Sequence, residues 1–178
     1  MKNKQYQKFS IVMGVYNGDD TIDKAIRKIF QIDYPHDHFE IIVVDDHSTD
    51  STYSILKSLE EEAKQLKINF QVLRNRHNLG RIKTRLKGFK RASFQRVLIL
   101  DVRSMIEPNT LKKASKYSNN TSLISNYYTQ KDNSLDDRIL YLLRRRYYQP
   151  YWGRTAPIEL TEKNFNKVPK GTGGFITN

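Results

Sequence analysis

Three groups of polar residues stand where apolar runs of the sequence end, and their types suit binding chemistry. Tyr16-Asn17 follows the run Phe9–Val15, Asp45-Asp46 follows Phe39–Val44, and Asp101 follows Arg96–Leu100. A carboxylate in such a place accepts hydrogen bonds from a ribose hydroxyl or a base N–H, and an aromatic ring stacks on a base. Helix N-capping is the simpler role for Asp45 or Asp46, because one carboxylate there satisfies orphan N–H groups. Capping explains one loop and leaves the other two unexplained, so a shared ligand site is the better expectation. The four histidines (His36, His38, His47 and His77) are too scattered for a metal site without partners at helical or turn spacing. Gly171-Thr172-Gly173-Gly174 is glycine-rich, but no Lys-Ser or Lys-Thr follows it, which argues against a phosphate cradle.

The elements that must position these groups show as periodicities. Phe9–Val15, Phe39–Val44, Ile68–Leu73 and Arg96–Leu100 are short apolar runs, the pattern of strands buried on both faces. Between them, Ile22, Ala25, Ile26, Ile29 and Phe30 share one helical face, with Asp19, Asp20 and Thr21 at the positions of N-caps and first-turn acids. Leu56, Leu59, Ala63 and Leu66 mark a second helix. A third opens at Asn78-Leu79-Gly80, with Ile82, Leu86 and Phe89 as its expected inner face. Residues 109–118 read as helix, 121–128 as strand, and 134–148 as a helix carrying Leu135, Ile139 and Leu142. Strands alternating with helices predict an α/β protein built on a parallel sheet with helices on both faces. In such sheets ligands bind in the crevice beyond the carboxyl ends of the strands, where the three polar groups fall.

With 178 residues the chain is the size of one domain. The absence of cysteine excludes a disulfide framework, thiolate metal sites and a cysteine nucleophile. No apolar run approaches the ~20 residues of a membrane span, and the N-terminus lacks the apolar core of a secretion signal. These features predict a soluble, cytoplasmic protein. The net charge of +12 is unevenly placed: residues 1–73 carry 9 Lys/Arg against 12 Asp/Glu, whereas residues 74–116 carry 13 against 2. That asymmetry predicts an anionic partner, or else a solvated basic surface.

The stretches Val12-Met-Gly-Val-Tyr-Asn17, Val44-Asp-Asp-His-Ser-Thr-Asp50, Asn78-Leu-Gly80 with Arg85 and Gly88 downstream, and Leu98-Ile-Leu-Asp101 resemble, in order, the motifs of the inverting family 2 glycosyltransferases. The resemblance implies a GT-A fold, a Rossmann-like and mostly parallel sheet flanked by helices on both faces. It implies that residues 1–130 form the nucleotide-sugar-binding half and 131–178 part of the acceptor side. Carried over by position, Gly14, Val15, Tyr16 and Asn17 would border the nucleotide base. Asp46 would hydrogen-bond the base, Asp45 would support the loop, and Arg85 would reach the nucleotide or its phosphates. Asp101 matches the first aspartate of the family's Asp-x-Asp motif, near the ribose and a divalent Mg²⁺ or Mn²⁺. Gly171, Thr172, Gly173 and Gly174 are similar to the stretch lining the acceptor side.

Two departures stand beside these matches. Arg103 occupies the position of the second aspartate, the usual metal ligand, and a guanidinium pairs with phosphate rather than with a cation. Either Arg103 supplies the metal's charge at the diphosphate, or the site no longer transfers sugar. The family's general base lies downstream of its glycine-bearing stretch, where only Phe175–Asn178 remain, and no residue is assigned to that role. The expected activity is therefore transfer of a sugar from a nucleotide-sugar, UDP-linked by preference, to a glycan or lipid-linked acceptor with inversion. The alternative is a catalytically silent nucleotide-sugar-binding subunit. A nucleic-acid-binding domain rests on charge alone, and Asp45, Asp46 and Asp101 would repel its phosphates. The basic stretch Arg81–Arg91, and Arg144-Arg145-Arg146 with its neighbouring aromatics, predict a peripheral contact with an anionic membrane face or an ordinary solvated surface.

Overall fold

A computed structural model describes residues 6–103 and 106–116, and the backbone of two short strands at 123–124 and 175–177. Strand β1 (Phe9–Val15) is buried along its length except at Gly14, and β2 (Phe39–Asp45) is buried throughout. Burial on both faces is why these runs carry no polar alternation. With β3 (Asn69–Arg74), β4 (Arg96–Asp101), β5 (Leu123–Ile124) and β6 (Phe175–Thr177) they form one sheet in the order β3-β2-β1-β4-β6-β5. The pairs β1–β2, β1–β4 and β2–β3 are parallel, and β6 runs antiparallel to both β4 and β5. This is the mostly parallel α/β sheet that the alternating pattern predicts. Strand β6 carried no sequence signal. The expected helix over 134–148, the Arg144–Arg146 cluster, the Gly171–Gly174 stretch and the division near residue 130 lie outside the described residues.

The chain runs outward from β1 to β2 to β3 and then crosses to place β4 on the other side of β1. Gly14 pairs with Asp101, Val15 with Asp45, and Asp45 with Arg74, so the carboxyl ends of the four strands are level. The reversal between β1 and β4 opens a crevice at those ends.

On one face of the sheet lie α1 (Ile22–Phe30), α2 (Thr52–Gln65) and the short α4 (Thr110–Ala114). Ile22, Ala25, Ile26 and Ile29 of α1 and Leu56, Leu59 and Ala63 of α2 pack there with Ile11, Met13 and Phe39. Leu66 departs from the expected inner face. It caps α2 and is 42% exposed, because Lys67 takes a left-handed backbone (φ 56) that turns the chain toward β3. Thr21 is the N-cap residue of α1 but makes no capping bond. Its hydroxyl donates to Gly18 O, and Asp19 accepts from Ser51 of the next loop. At the opposite end of the sheet, Glu40 is wholly buried and accepts from the Ser10 hydroxyl and the Ser93 N–H, joining β1, β2 and the entry to β4.

The other face carries α3 (Arg81–Arg91), and here the expected inner face is wrong. Thr84 and Gly88 are buried, while Ile82, Leu86 and Phe89 are 83%, 47% and 36% exposed. The reason is distance. A Cβ on Gly88 would lie 2.5 Å from Val12 Cγ1 and 3.2 Å from Val44 Cγ2, and one on Gly14 would lie 3.1 Å from Thr84 Cγ2. The helix approaches β1 and β2 too closely for Leu or Phe, so small residues face the sheet and the large apolar ones turn outward. Ile82→Ser is accordingly expected to change unfolding free energy by no more than about 0.5 kcal/mol, as for other exposed positions. Urea denaturation measures it; a loss of about 2 kcal/mol would mean that the stripe is covered in solution.

Candidate functional site

The loops after β1 and β2 are tied to each other before they meet any ligand. Val15 O accepts the Asp46 N–H at 2.8 Å, Asn17 N–H donates to the Ser48 hydroxyl at 3.0 Å, and Gly18 N–H donates to the Thr52 hydroxyl at 2.8 Å. Asn17 adopts a left-handed conformation (φ 47), which asparagine tolerates, and its side-chain oxygen accepts the Thr49 N–H at 2.9 Å. Its amide oxygen therefore serves the neighbouring loop. Tyr16, next to it, is 49% exposed at the rim of the crevice.

Asp45 and Asp46 face different surroundings. Asp45 is wholly buried; its Oδ1 accepts the Ser48 N–H at 3.1 Å, and Arg74 Nε stands 3.0 Å from Oδ2 as an ion pair. Arg74 is itself held over the Tyr53 ring at 4.4 Å and donates to Ser48 O at 2.9 Å. Asp45 thus lies beneath the crevice and does not line it.

Asp46 does line it, although only 4% exposed. Its Oδ1 accepts from Asn75 Nδ2 at 2.7 Å and the Leu79 N–H at 2.8 Å, and its Oδ2 accepts the Gly80 N–H at 2.9 Å. Burial pushes this carboxyl up, but the donations from Leu79, Asn75, Thr84 and Gly80 outweigh it and hold Asp46 below its ordinary value. Asp46 thereby fixes the Asn78-Leu79-Gly80 turn. There Gly80 takes φ +82, a conformation open to glycine, and hands the chain to α3.

From that fixed start α3 delivers two guanidinium groups. Arg85 Nη2 stands 3.1 Å from Asp101 Oδ2, both side chains about one-fifth exposed, while Arg81 is exposed at the crevice edge. Across it, the Arg103 N–H donates to Asp101 Oδ1 at 3.2 Å and the Arg103 side chain is exposed. The resulting cleft holds about 370 Å³, within the usual size of small-molecule sites. It gathers Gly14, Val15, Tyr16, Asp46, Arg85, Asp101 and Arg103 from the sequence-derived set; Asn17 and Asp45 stand behind its wall. Five lining residues went unassigned in the sequence: Asn78, Gly80, Arg81, Thr84 and Val102. Asn78 and Gly80 belong to the motif quoted above. Arg81 was hidden in a basic run, and Thr84 had no signal.

The cleft is lined by an exposed aromatic ring, Tyr16, and by three arginines, one of them paired with Asp101. That suits a ligand with a planar base and an anionic group. Among the described residues no group of three or more His, Asp or Glu side chains could hold a metal ion, and no helix is long and apolar enough to cross a membrane.

Comparisons with known proteins agree with this geometry. The chain is 32% identical over 111 residues to the poly(ribitol-phosphate) beta-N-acetylglucosaminyltransferase TarS of Staphylococcus aureus, a match covering 62% of this chain and 18% of that protein. It is 35% identical over 63 residues to the beta-monoglucosyldiacylglycerol synthase of Synechocystis, covering 35% of this chain and 13% of that one. The crystal structure of S. aureus TarS residues 1–349 in complex with UDP-GlcNAc matches with a TM-score of 0.55 and 32% identity, over 62% of this chain and 30% of that one. A Pyrobaculum calidifontis mannosyltransferase in complex with GDP-Man and Mn²⁺ shares the fold, with a TM-score of 0.64 at 20% identity, over 72% of this chain and 38% of that one. The chain thus spans less than a third of the TarS crystal structure. The sheet and its flanking helices have the GT-A architecture of these neighbours. The family model for glycosyl transferase family 2 matches residues 10–175, and the chain belongs to that family.

Proposed function

We propose that the chain is the donor-binding part of a glycosyltransferase that takes a UDP-linked sugar. The observation that carries this is the convergence of Tyr16, Arg81, Arg85, Arg103 and Asp101 on one cleft at the β1–β4 reversal. A relative at 32% identity crystallised with UDP-GlcNAc supports uridine as the base. In this reading Tyr16 stacks on the base, the glycine at position 14 lets the ligand approach β1, and the arginines take the diphosphate. An acceptor hydroxyl attacks the anomeric carbon from the face opposite the diphosphate. The bond from that carbon to the phosphate oxygen breaks with its electron pair leaving on the diphosphate, and the configuration inverts. The hydroxyl proton passes to a base; Asp46 is excluded from that role because both its oxygens are engaged. A glycan or lipid-linked hydroxyl is the acceptor class we propose.

Calorimetric titration of the chain with UDP, GDP and ADP tests the reading. UDP is expected to bind tightest, and a folded chain that binds none of the three would refute it. Tyr16→Ala is expected to weaken UDP binding by about 1–2 kcal/mol through lost stacking, with thermal stability unchanged. A second reading is a donor-binding subunit without transfer activity, favoured by Arg103 at the metal-ligand position and by the Arg85–Asp101 pair. UDP release from UDP-GlcNAc in the presence of acceptor separates the two.

A further inference from the structure

The cleft does not fit the divalent cation that GT-A neighbours hold. At a nucleotide site such an ion is anchored to the protein by one or two free carboxylates, with phosphate oxygens and waters completing its shell. Among the described residues two carboxylates line the cleft. Asp46 has both oxygens occupied by N–H donors, and Asp101 is paired with Arg85 at 3.1 Å while accepting the Arg103 N–H. At the position two residues beyond Asp101 the side chain is a cation rather than a third oxygen donor.

We infer that Arg81, Arg85 and Arg103 form a metal-independent cradle for the diphosphate. This rests on the donor reading above and specifies how its charged end is held. Arg85 is preset: Asp101 fixes one end of its guanidinium, while its Nε is buried without a hydrogen-bond partner. Arg81 and Arg103 line the same cleft, both exposed, and neither has an ion-pair partner among the described residues. Planar guanidiniums bind phosphate oxygens bidentately and stay charged at all working pH values. Three of them against the two carboxylates of Asp46 and Asp101 leave the cleft with a net positive charge, complementary to an anionic diphosphate. The same groups neutralise the charge that grows on the diphosphate as it leaves.

The test titrates UDP, uridine and inorganic pyrophosphate into the unmutated chain and into Arg103→Ala and Arg81→Ala, each in EDTA and in millimolar Mn²⁺. UDP affinity is expected to be the same with EDTA and Mn²⁺, and pyrophosphate is expected to compete with UDP in EDTA. Each substitution is expected to lower UDP affinity about tenfold or more, the effect of a lost charge-assisted bond, and to leave uridine binding unchanged. A chain that binds neither UDP nor uridine would remove the donor reading itself. UDP binding that requires Mn²⁺, or that survives both substitutions unchanged, would leave that reading standing and overturn the cradle.

Discussion

Asp46→Ala is expected to destabilise the chain by about 3 kcal/mol and to weaken UDP binding with it, because three donors lose their acceptor at once. Asn75 Nδ2 and the N–H groups of Leu79 and Gly80 all converge on this carboxylate, and the turn they fix is the origin of α3. Asp46→Asn keeps one oxygen but sets an amide N–H₂ against a backbone donor, so an intermediate loss of about 1–2 kcal/mol is expected. Acid should reveal the same group. Its folded value lies below the ordinary carboxyl value of 3.8. The stability it contributes is therefore present above the unfolded value and lost as pH falls through the lower folded value. Urea unfolding followed into the acid range should show a larger loss in the unmutated chain than in Asp46→Asn, which keeps only the contributions of other lowered carboxylates such as Asp50. If Asp46→Ala weakened UDP binding while leaving stability intact, the carboxylate would serve the base directly and its role in the turn would be minor.

Gly88→Val is expected to cost about 3 kcal/mol, the upper range for overpacking a close contact. Its first side-chain atom would meet Val12 Cγ1 at 2.5 Å, and Val12, on β1, is wholly buried. Gly88→Ala is expected to lose about 1 kcal/mol even though alanine is the better helix former by about that amount. Stabilisation by Gly88→Ala would mean that α3 stands further from the sheet. Because α3 also carries Arg81 and Arg85, a helix pushed outward should bind UDP more weakly in proportion to its displacement, which calorimetry on the folded variant measures.

Much of this architecture was determined by the sequence itself. Buried parallel strands must be apolar on both faces, so β1, β2 and β4 stood out as runs, and polar residues at their ends marked the edge where the cleft opens. Helices whose far side meets water show a stripe, which is why Ile22, Ala25, Ile26 and Ile29 identified the buried side of α1. The resemblance to the family's motifs also set Arg103 against the position of its second aspartate.

Only the tertiary structure decided the rest. The stripe rule failed for α3 because a helix laid close on a sheet is selected for small side chains, and Thr84 and Gly88 carry no hydrophobic signal. The partners of Asp46 lie 29 to 34 positions away, so its commitment to the Asn78–Gly80 turn was invisible along the chain. The pairing of Arg85 with Asp101 depends in turn on β4 lying beside β1, an order set by long-range strand pairing that local patterns do not encode. That one adjacency turns a basic helix and a lone aspartate into a cationic cleft.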